Sequence, residues 1–512
     1  LPRPPSDLIG SEWIALDGAG APIASRNPAH PAKVVWSGVP NVAHVDRAIE
    51  AARKAFPQWA AMPREKRFEG LLAFKKLCEA RADAIASLIC DETGKALWDA
   101  KQEAGALAAK VDITLDASPI GPLSRVSGFE TPLAPTRAGK CWFRPHGVMA
   151  VIGPFNFPAH LPNGHIVPAL AMGNTIVLKP SDKAPAVGQL LIELFKEALD
   201  SIGAPAGVVN LVQGGADIAG TLVAHEGIDG VLFTGSWPVG KRIMQANLDR
   251  PARVLALEMG GNNAAVVLVG ADLKQAAIEC GRSAFVTTGQ RCTCTRRVVV
   301  QRAIADRFID ALKNIGEKLV IADPRSTSPV FMGPIISGPA RDAVLAAQDR
   351  MEKAGGKVAL RARAIENESG GFYISPCIIR VDRFVAREDG SAGKDVEVFG
   401  PLLRVCVVDS LDDAIEQANA TRFGLAASIF TKDASAIEQF LALARAGCVN
   451  VNTGTAGASS KLPFGGLGLS GNHRPAGSFS LDYCAYPVAG MIESGAAAPI
   501  PPGMAFDDAW VR

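Results

Sequence analysis

The chain has 512 residues, of which 53 are basic and 51 acidic, for a formal net charge of +2. That length exceeds what one hydrophobic core serves and predicts two or three domains. The near-balance excludes an overall pull toward nucleic acid or an anionic membrane, so a charged ligand must be recognised locally, at a small-molecule site.

The opening LPRPPSDLIG has no apolar stretch of signal-peptide length. Most of the ten cysteines sit inside apolar runs, where a free thiol behaves as a small hydrophobe. A reducing, cytoplasmic setting is the expectation. Between residues 114 and 142 the helical period breaks, in PIGPLSRVSGFETPLAPTRAGKCW. From Arg144 to Lys179 the chain then runs without any Asp, Glu, Lys or Arg in between. Five prolines and four glycines interrupt this stretch. A membrane-spanning helix needs about 20 mostly unbroken apolar residues, so a buried, loop-rich region is predicted instead.

Residues 148–259 alternate short strands with amphipathic helices. GVMAVIG, NTIVLKP, GVVNLVQG, GVLFTG and RVLALEMGG read as strands. PAVGQLLIELFKEALDS carries its apolar residues on one helical face. Such alternation means a parallel, doubly wound sheet. A second series runs over residues 263–450, with a helix expected from Ala303 through Val320 and a strand in VEVFGPLLRVCVV. Two parallel-sheet domains in tandem follow. The stretch 478–489 is expected to pair with the irregular segment near 120–142, and ESGAAAPIPPG reads as a loose tail.

Several short stretches carry chemistry. In PFNFP, Asn156 sits on a Pro-rich loop inside the charge-free region, where a side-chain amide can stabilise an oxyanion without adding charge, or serve an ordinary turn. In LKPSD, Lys179 and Asp182 end a parallel strand, where such sheets hold ligands, although by itself the stretch reads as an ordinary strand-to-helix loop with solvated charges. In FTGSWPVG, Gly235 to Gly240 open a helix, as a pyrophosphate site or a structural turn. Glu258 ends an apolar strand against two glycines, and desolvation there would raise its pKa toward that of a general base.

The stretch FVTTGQRCTCTRRVVV holds Cys292 and Cys294. No paired histidine ligands accompany them, and C-x-C is not a C-x-x-C redox motif, so no metal is expected. A nucleophile fits better. Arg291, Arg296 and Arg297 would lower a thiol pKa if they face it.

The order of PFNFP, GN…LKPS, FTGS, EMGG, GQRC, EVFGP and PFGG along the chain resembles the aldehyde dehydrogenase superfamily over nearly its whole length. The resemblance implies that Cys292 is the nucleophile, Asn156 an oxyanion donor and Glu258 the base that hydrolyses a thioester. It implies NAD as cofactor, with Lys179, Ser181 and Asp182 on the adenosine side and Asp182 repelling a 2′-phosphate. Ser236 is implied at the pyrophosphate, and Glu397 and Phe399 at the nicotinamide ribose. Pro154, Phe155, Gly215, Phe233, Thr234, Gly235, Gly240, Met259 and Gly260 complete the implied cofactor site.

The implied division is an NAD-binding domain (1–125 and 146–257), a catalytic domain (258–470), an oligomerisation arm (126–145 and 471–490) and a tail (491–512). The arm implies a homodimer or homotetramer. HLPNGHIVPA, GQRCTCTRR, LEMGGNN and SGNHRP resemble the branch that oxidises N-succinylglutamate 5-semialdehyde. That aldehyde carries two remote carboxylates, so His160, His165, Arg291, Arg296 and Arg474, together with Phe464, are expected at the substrate. Another aldehyde in the same fold, or a non-catalytic scaffold, are the competing readings. Asn156, Glu258 and Cys292 together speak against the scaffold.

Overall fold

The computed structural model describes residues 3–387, 389–495 and 499–512. Residues 496–498 of the expected tail therefore lie outside the described residues. Two seven-stranded sheets organise the chain. In the first, the order is Val254–Glu258, Gly230–Thr234, Val148–Ile152, Thr175–Lys179, Val209–Leu211, Ser6–Ile9 and Glu12–Ala15. The first five run parallel, and the two N-terminal strands add an antiparallel edge. Residues in Val148–Ile152, Thr175–Lys179 and Gly230–Thr234 are buried throughout, as strands covered by helices on both faces must be.

The charge-free stretch is the centre of this layer. It forms the Val148–Ile152 strand, the His160–Met172 helix and most of the Thr175–Lys179 strand. Its helix buries Ile166, Val167, Ala169 and Leu170 completely, so a charge on this face would have no water to meet. Among the described residues, no helix is long and apolar enough to cross a membrane.

The second sheet has the order Lys357–Leu360, Cys377–Arg380, Leu402–Val408, Thr295–Gln301, Asn263–Val267, Ala426–Phe430 and Cys448–Val451. All neighbours are parallel except Lys357–Leu360. The helix expected from Ala303 through Val320 spans Arg302–Lys318. In VEVFGPLLRVCVV only Leu402–Val408 is a strand. The preceding Glu397 to Pro401 stays irregular, because Pro401 has no N–H for a ladder.

The segment near 120–142 holds a short helix, Pro122–Arg125, and then a hairpin of Phe129–Ala134 and Arg137–Pro145. The strand that joins it is Ala485–Glu493, in antiparallel register from Ala485 opposite Pro145 to Glu493 opposite Arg137. The expectation of pairing over 478–489 is thus shifted toward the C-terminus. Leu481, Tyr483 and Cys484 face the core instead.

Candidate active site

The loop before Cys292 is held in an unusual backbone. After the Leu273–Phe285 helix ends, Thr287, Thr288 and Gly289 take φ of 55°, 54° and 70°. Two β-branched residues in the left-handed region are strained and need fixing by their surroundings. Thr287 Oγ1 donates to Asp99 Oδ2 at 2.6 Å, and Thr288 Oγ1 donates to the Gly333 carbonyl at 2.9 Å. Gly289 has no alternative: a Cβ there would lie 2.2 Å from the Gly400 carbonyl carbon. On the far side, Asn263 Nδ2 donates to the carbonyls of Cys292 and Cys294, at 2.7 and 2.8 Å. Gly261 lets the chains close, since a Cβ would meet the Cys292 oxygen at 2.6 Å.

Cys292 and Glu258 open on one cavity of about 330 Å³. Glu258 ends its strand beside Thr234, and its Oε2 is buried with no hydrogen-bond partner. Burial holds its carboxyl well above the usual carboxylate range, against a lowering from the Ala476 N–H. The Cys292 thiol is pushed up to about 12, first by burial and then by the Glu397 and Glu258 carboxylates. Of the arginines the sequence suggested, Arg296 does lower it, but less than burial and the carboxylates raise it, since its guanidinium is given to carbonyls. Asn156 Nδ2 donates to the Gln290 carbonyl at 2.9 Å, two residues before the thiol. A primary amide has a second N–H to give. Cys294 is completely buried, with its Sγ 4.0 Å from the Val286 carbonyl, and packs beneath the loop.

One wall of the cavity is the Leu97–Thr114 helix, through Asp99, Gln102, Glu103, Ala106 and Lys110. Their spacing is one helical face. No motif in the sequence marks this helix for a role. Its signal was present, in charged residues recurring at apolar positions. Phe157 stands opposite, with Lys95 Nζ 3.6 Å and Arg291 Cζ 5.0 Å from its ring centre. Lys95 also pairs with Glu103 at 2.5 Å, both side chains wholly buried. Glu103 in turn accepts from the Ala159 and His160 N–H groups at 3.0 and 3.1 Å, so its lone pairs are committed.

The residues expected to hold substrate carboxylates divide. Arg291, His160, His165 and Phe464 line the cavity; Arg296 and Arg474 do not. Arg296 donates to the carbonyls of Gly289, Gly400 and Arg291, bracing the loop that carries Cys292, and Arg474 is exposed outside the cavity lining. Both assignments are corrected on that ground. Burial pushes His160 down to about 4 and His165 to about 3, so neither carries charge at neutral pH. Both nitrogens of His165 are engaged, with Tyr483 Oη at 2.9 Å and Thr234 Oγ1 at 3.2 Å. Arg291 spends its charge on Asp99 at 2.7 Å.

The other face of Glu258 is the carboxyl edge of the first sheet. Register sets Ile152 beside Lys179 and Phe233, and Thr234 beside Glu258. Strand order reverses at Val148–Ile152, the point where open parallel sheets form a ligand crevice. Burial lowers the Lys179 ammonium to about 8, and among the described residues it forms no ion pair. Ser236 caps the Trp237–Gln245 helix without a side-chain cap bond, and Gly215 precedes the Ala216–Ala224 helix. Asp182 lies exposed at the rim, 3.5 Å from Ser181 Oγ. Glu397 accepts from the Gly261 N–H at 3.1 Å, where a Cβ on Gly260 would collide with its carboxylate. Phe155, after Pro154, meets Phe399 edge to face at 5.9 Å.

An ammonium with no ion-pair partner among the described residues and an uncapped helix N-terminus at a switch point fit a dinucleotide. Three of the implied contacts belong to the framework below. Phe233 and Met259 are core residues, and a Cβ on Gly240 would strike the Met259 sulfur at 2.3 Å, so this glycine serves helix-to-sheet packing. Among the described residues, no three His, Cys, Asp or Glu gather as metal ligands.

A buried thiol and a buried glutamate carboxyl share one cavity, beside a crevice suited to a dinucleotide. Such a combination is what an oxidoreductase working through a covalent cysteine adduct would require. The chain belongs to the aldehyde dehydrogenase family, whose pattern matches residues 13–487. It is 45% identical over 484 residues to the N-succinylglutamate 5-semialdehyde dehydrogenase of Caulobacter sp. (strain K31), covering 94% of this chain and 95% of that one. It is 42% identical to the protein of the same name from Novosphingobium aromaticivorans, covering 96% and 100% of the two chains. A crystal structure of PnpE in complex with nicotinamide adenine dinucleotide superimposes with a TM-score of 0.88 at 28% identity, covering 97% and 99%.

Proposed function

We propose that this protein oxidises N-succinylglutamate 5-semialdehyde to N-succinylglutamate, with NAD as hydride acceptor. The observation that carries the chemistry is the single cavity shared by Cys292 and Glu258. The names of its relatives support the substrate, and the NAD-bound neighbour supports the cofactor. The Cys292 thiol gives its proton to a base, for which Glu258 Oε2 is the unpartnered oxygen in the cavity, as its sulfur adds to the aldehyde carbon to form a thiohemiacetal. Asn156 and the Cys292 backbone N–H donate to the developing oxyanion, each such donor being worth about 3–4 kcal/mol of barrier. Lys179, Ser181, Ser236 and Glu397 would hold NAD, which would supply the hydride acceptor the adduct needs to become a thioester. Glu258 takes a proton from water as it attacks the thioester, and the free acid leaves with the thiol restored.

The same reading takes the residue 126–145 hairpin with its C-terminal partner strand as the surface of a homodimer or homotetramer. It places the protein in the cytoplasm and keeps the division into an NAD-binding unit and a catalytic unit near residue 258. Steady-state NADH formation with N-succinylglutamate 5-semialdehyde and with glutamate 5-semialdehyde tests the substrate. A kcat/KM at least tenfold higher for the succinylated aldehyde is expected, and equal values would refute the assignment.

A further inference from the structure

The cavity lining includes two basic side chains suited to an anion, Lys110 and Arg291, and their situations differ. Burial lowers the Lys110 ammonium to about 8, where a bound carboxylate would favour its charged form. Arg291 is neutralised by Asp99, and its Nε is given to Thr287 Oγ1 at 2.8 Å. Lys110 has only neutral partners, the Gly477 carbonyl at 2.7 Å and Ser480 Oγ at 3.0 Å. An ammonium has three protons to donate, so one remains. Among the described residues no carboxylate comes within ion-pair distance of it, and its residue is only 2% exposed. A buried cation without a counter-charge is costly, and removing water from it stabilises nothing by itself. It sits on the same helical face as Asp99, Glu103 and Ala106, in the cavity that ends at Cys292.

We propose that Lys110 is the substrate-binding residue that pairs with a remote carboxylate of the aldehyde, supplying the counter-charge that the protein withholds. The inference rests on the reading of a carboxylated semialdehyde as substrate. It also assigns specificity to the Leu97–Thr114 helix rather than to the arginines near Cys292. Gly164, on the neighbouring His160–Met172 helix, supports it. This glycine lies inside the His160–Met172 helix and lines the cavity, and a Cβ there would meet nothing within 4 Å. A helix-interior glycine costs about 0.5–1 kcal/mol relative to alanine. The vacant volume beside it gives a long, branched substrate room to reach Lys110.

The test compares wild type, Lys110→Met and Lys110→Arg on N-succinylglutamate 5-semialdehyde and on octanal, an uncharged aldehyde of similar reach. The quantity read is the ratio of kcat/KM for the two aldehydes, with each variant's folded fraction taken separately from its circular dichroism and thermal unfolding. Lys110→Met is expected to lower that ratio at least tenfold, through KM for the charged substrate, and Lys110→Arg to restore part of it. A wild type that prefers the succinylated aldehyde with a ratio unchanged in Lys110→Met would overturn the role of Lys110 alone. A wild type with no such preference would overturn both this role and the substrate reading beneath it.

Discussion

Burial and two carboxylates hold the Cys292 thiol at about 12, so at neutral pH the resting nucleophile is the protonated form. A base must take its proton or that of the later water, and Glu258 has the free oxygen to do so. Its carboxyl is raised well above 4.5 because it is buried, which means it is still protonated at pH values where a solvent-exposed glutamate is ionised. A protonated carboxyl cannot accept a proton. Activity should therefore rise with pH through the Glu258 ionisation, and the limb should lie above the range of an ordinary glutamate. In Glu258→Gln that limb should vanish and kcat should fall by about 10²–10⁴, the usual worth of a general base. Profiles of kcat against pH for the two proteins decide the matter: an unchanged limb and rate in the variant would remove Glu258 from the mechanism.

The elements around the thiol act as a clamp on a strained turn. Gly289 is where the clamp is tightest, with φ of 70° and the Gly400–Pro401 backbone against its α-carbon. Gly289→Ala is expected to cost about 1–3 kcal/mol from backbone strain, with further loss from displacing that backbone. Gly105 is the contrast. It lies exposed inside the Leu97–Thr114 helix with nothing within 4 Å of a Cβ, so Gly105→Ala should stabilise by about 0.5–1 kcal/mol. Denaturant unfolding of both variants should give shifts of opposite sign, and a Gly289→Ala protein as stable as wild type would contradict the clamp. The sequence announced the parts of this turn that are local: Gly289, the thiol three residues on, and the parallel strands on either side with their 3.6- and 2-residue periods. It said nothing of Asp99 or Lys110, because a residue some 180–190 positions before Cys292 leaves no local pattern of that contact. Arg296 and Arg474 misled for the related reason that spacing gives neighbourhood, not direction. The Arg296 guanidinium sits near Cys292 yet turns to carbonyls, and only the folded chain shows that.

At the scale of the molecule, the arm is the part whose burial is unfinished. Its three strands, Phe129–Ala134, Arg137–Pro145 and Ala485–Glu493, lie largely exposed, and the first has no buried residue at all. Phe129, Leu133, Met491 and Ile492 present apolar side chains to solvent, each more than half exposed. Cross-strand pairs such as Lys140–Glu130 at 2.7 Å and Arg137–Glu493 at 3.1 Å tie the strands, but exposed pairs contribute only about 0–1 kcal/mol. A small sheet with two open edges and an uncovered apolar face is a surface that further copies of the chain can complete. Light scattering on the wild-type protein should give a dimeric or tetrameric mass. Replacing Leu133 and Met491 together by lysine places two like charges on that apolar face, far from Cys292 in the fold's architecture, and should shift the mass toward that of one chain. A variant that keeps the wild-type mass would show that assembly uses another surface, and a monomeric wild type would remove the arm's assigned role altogether.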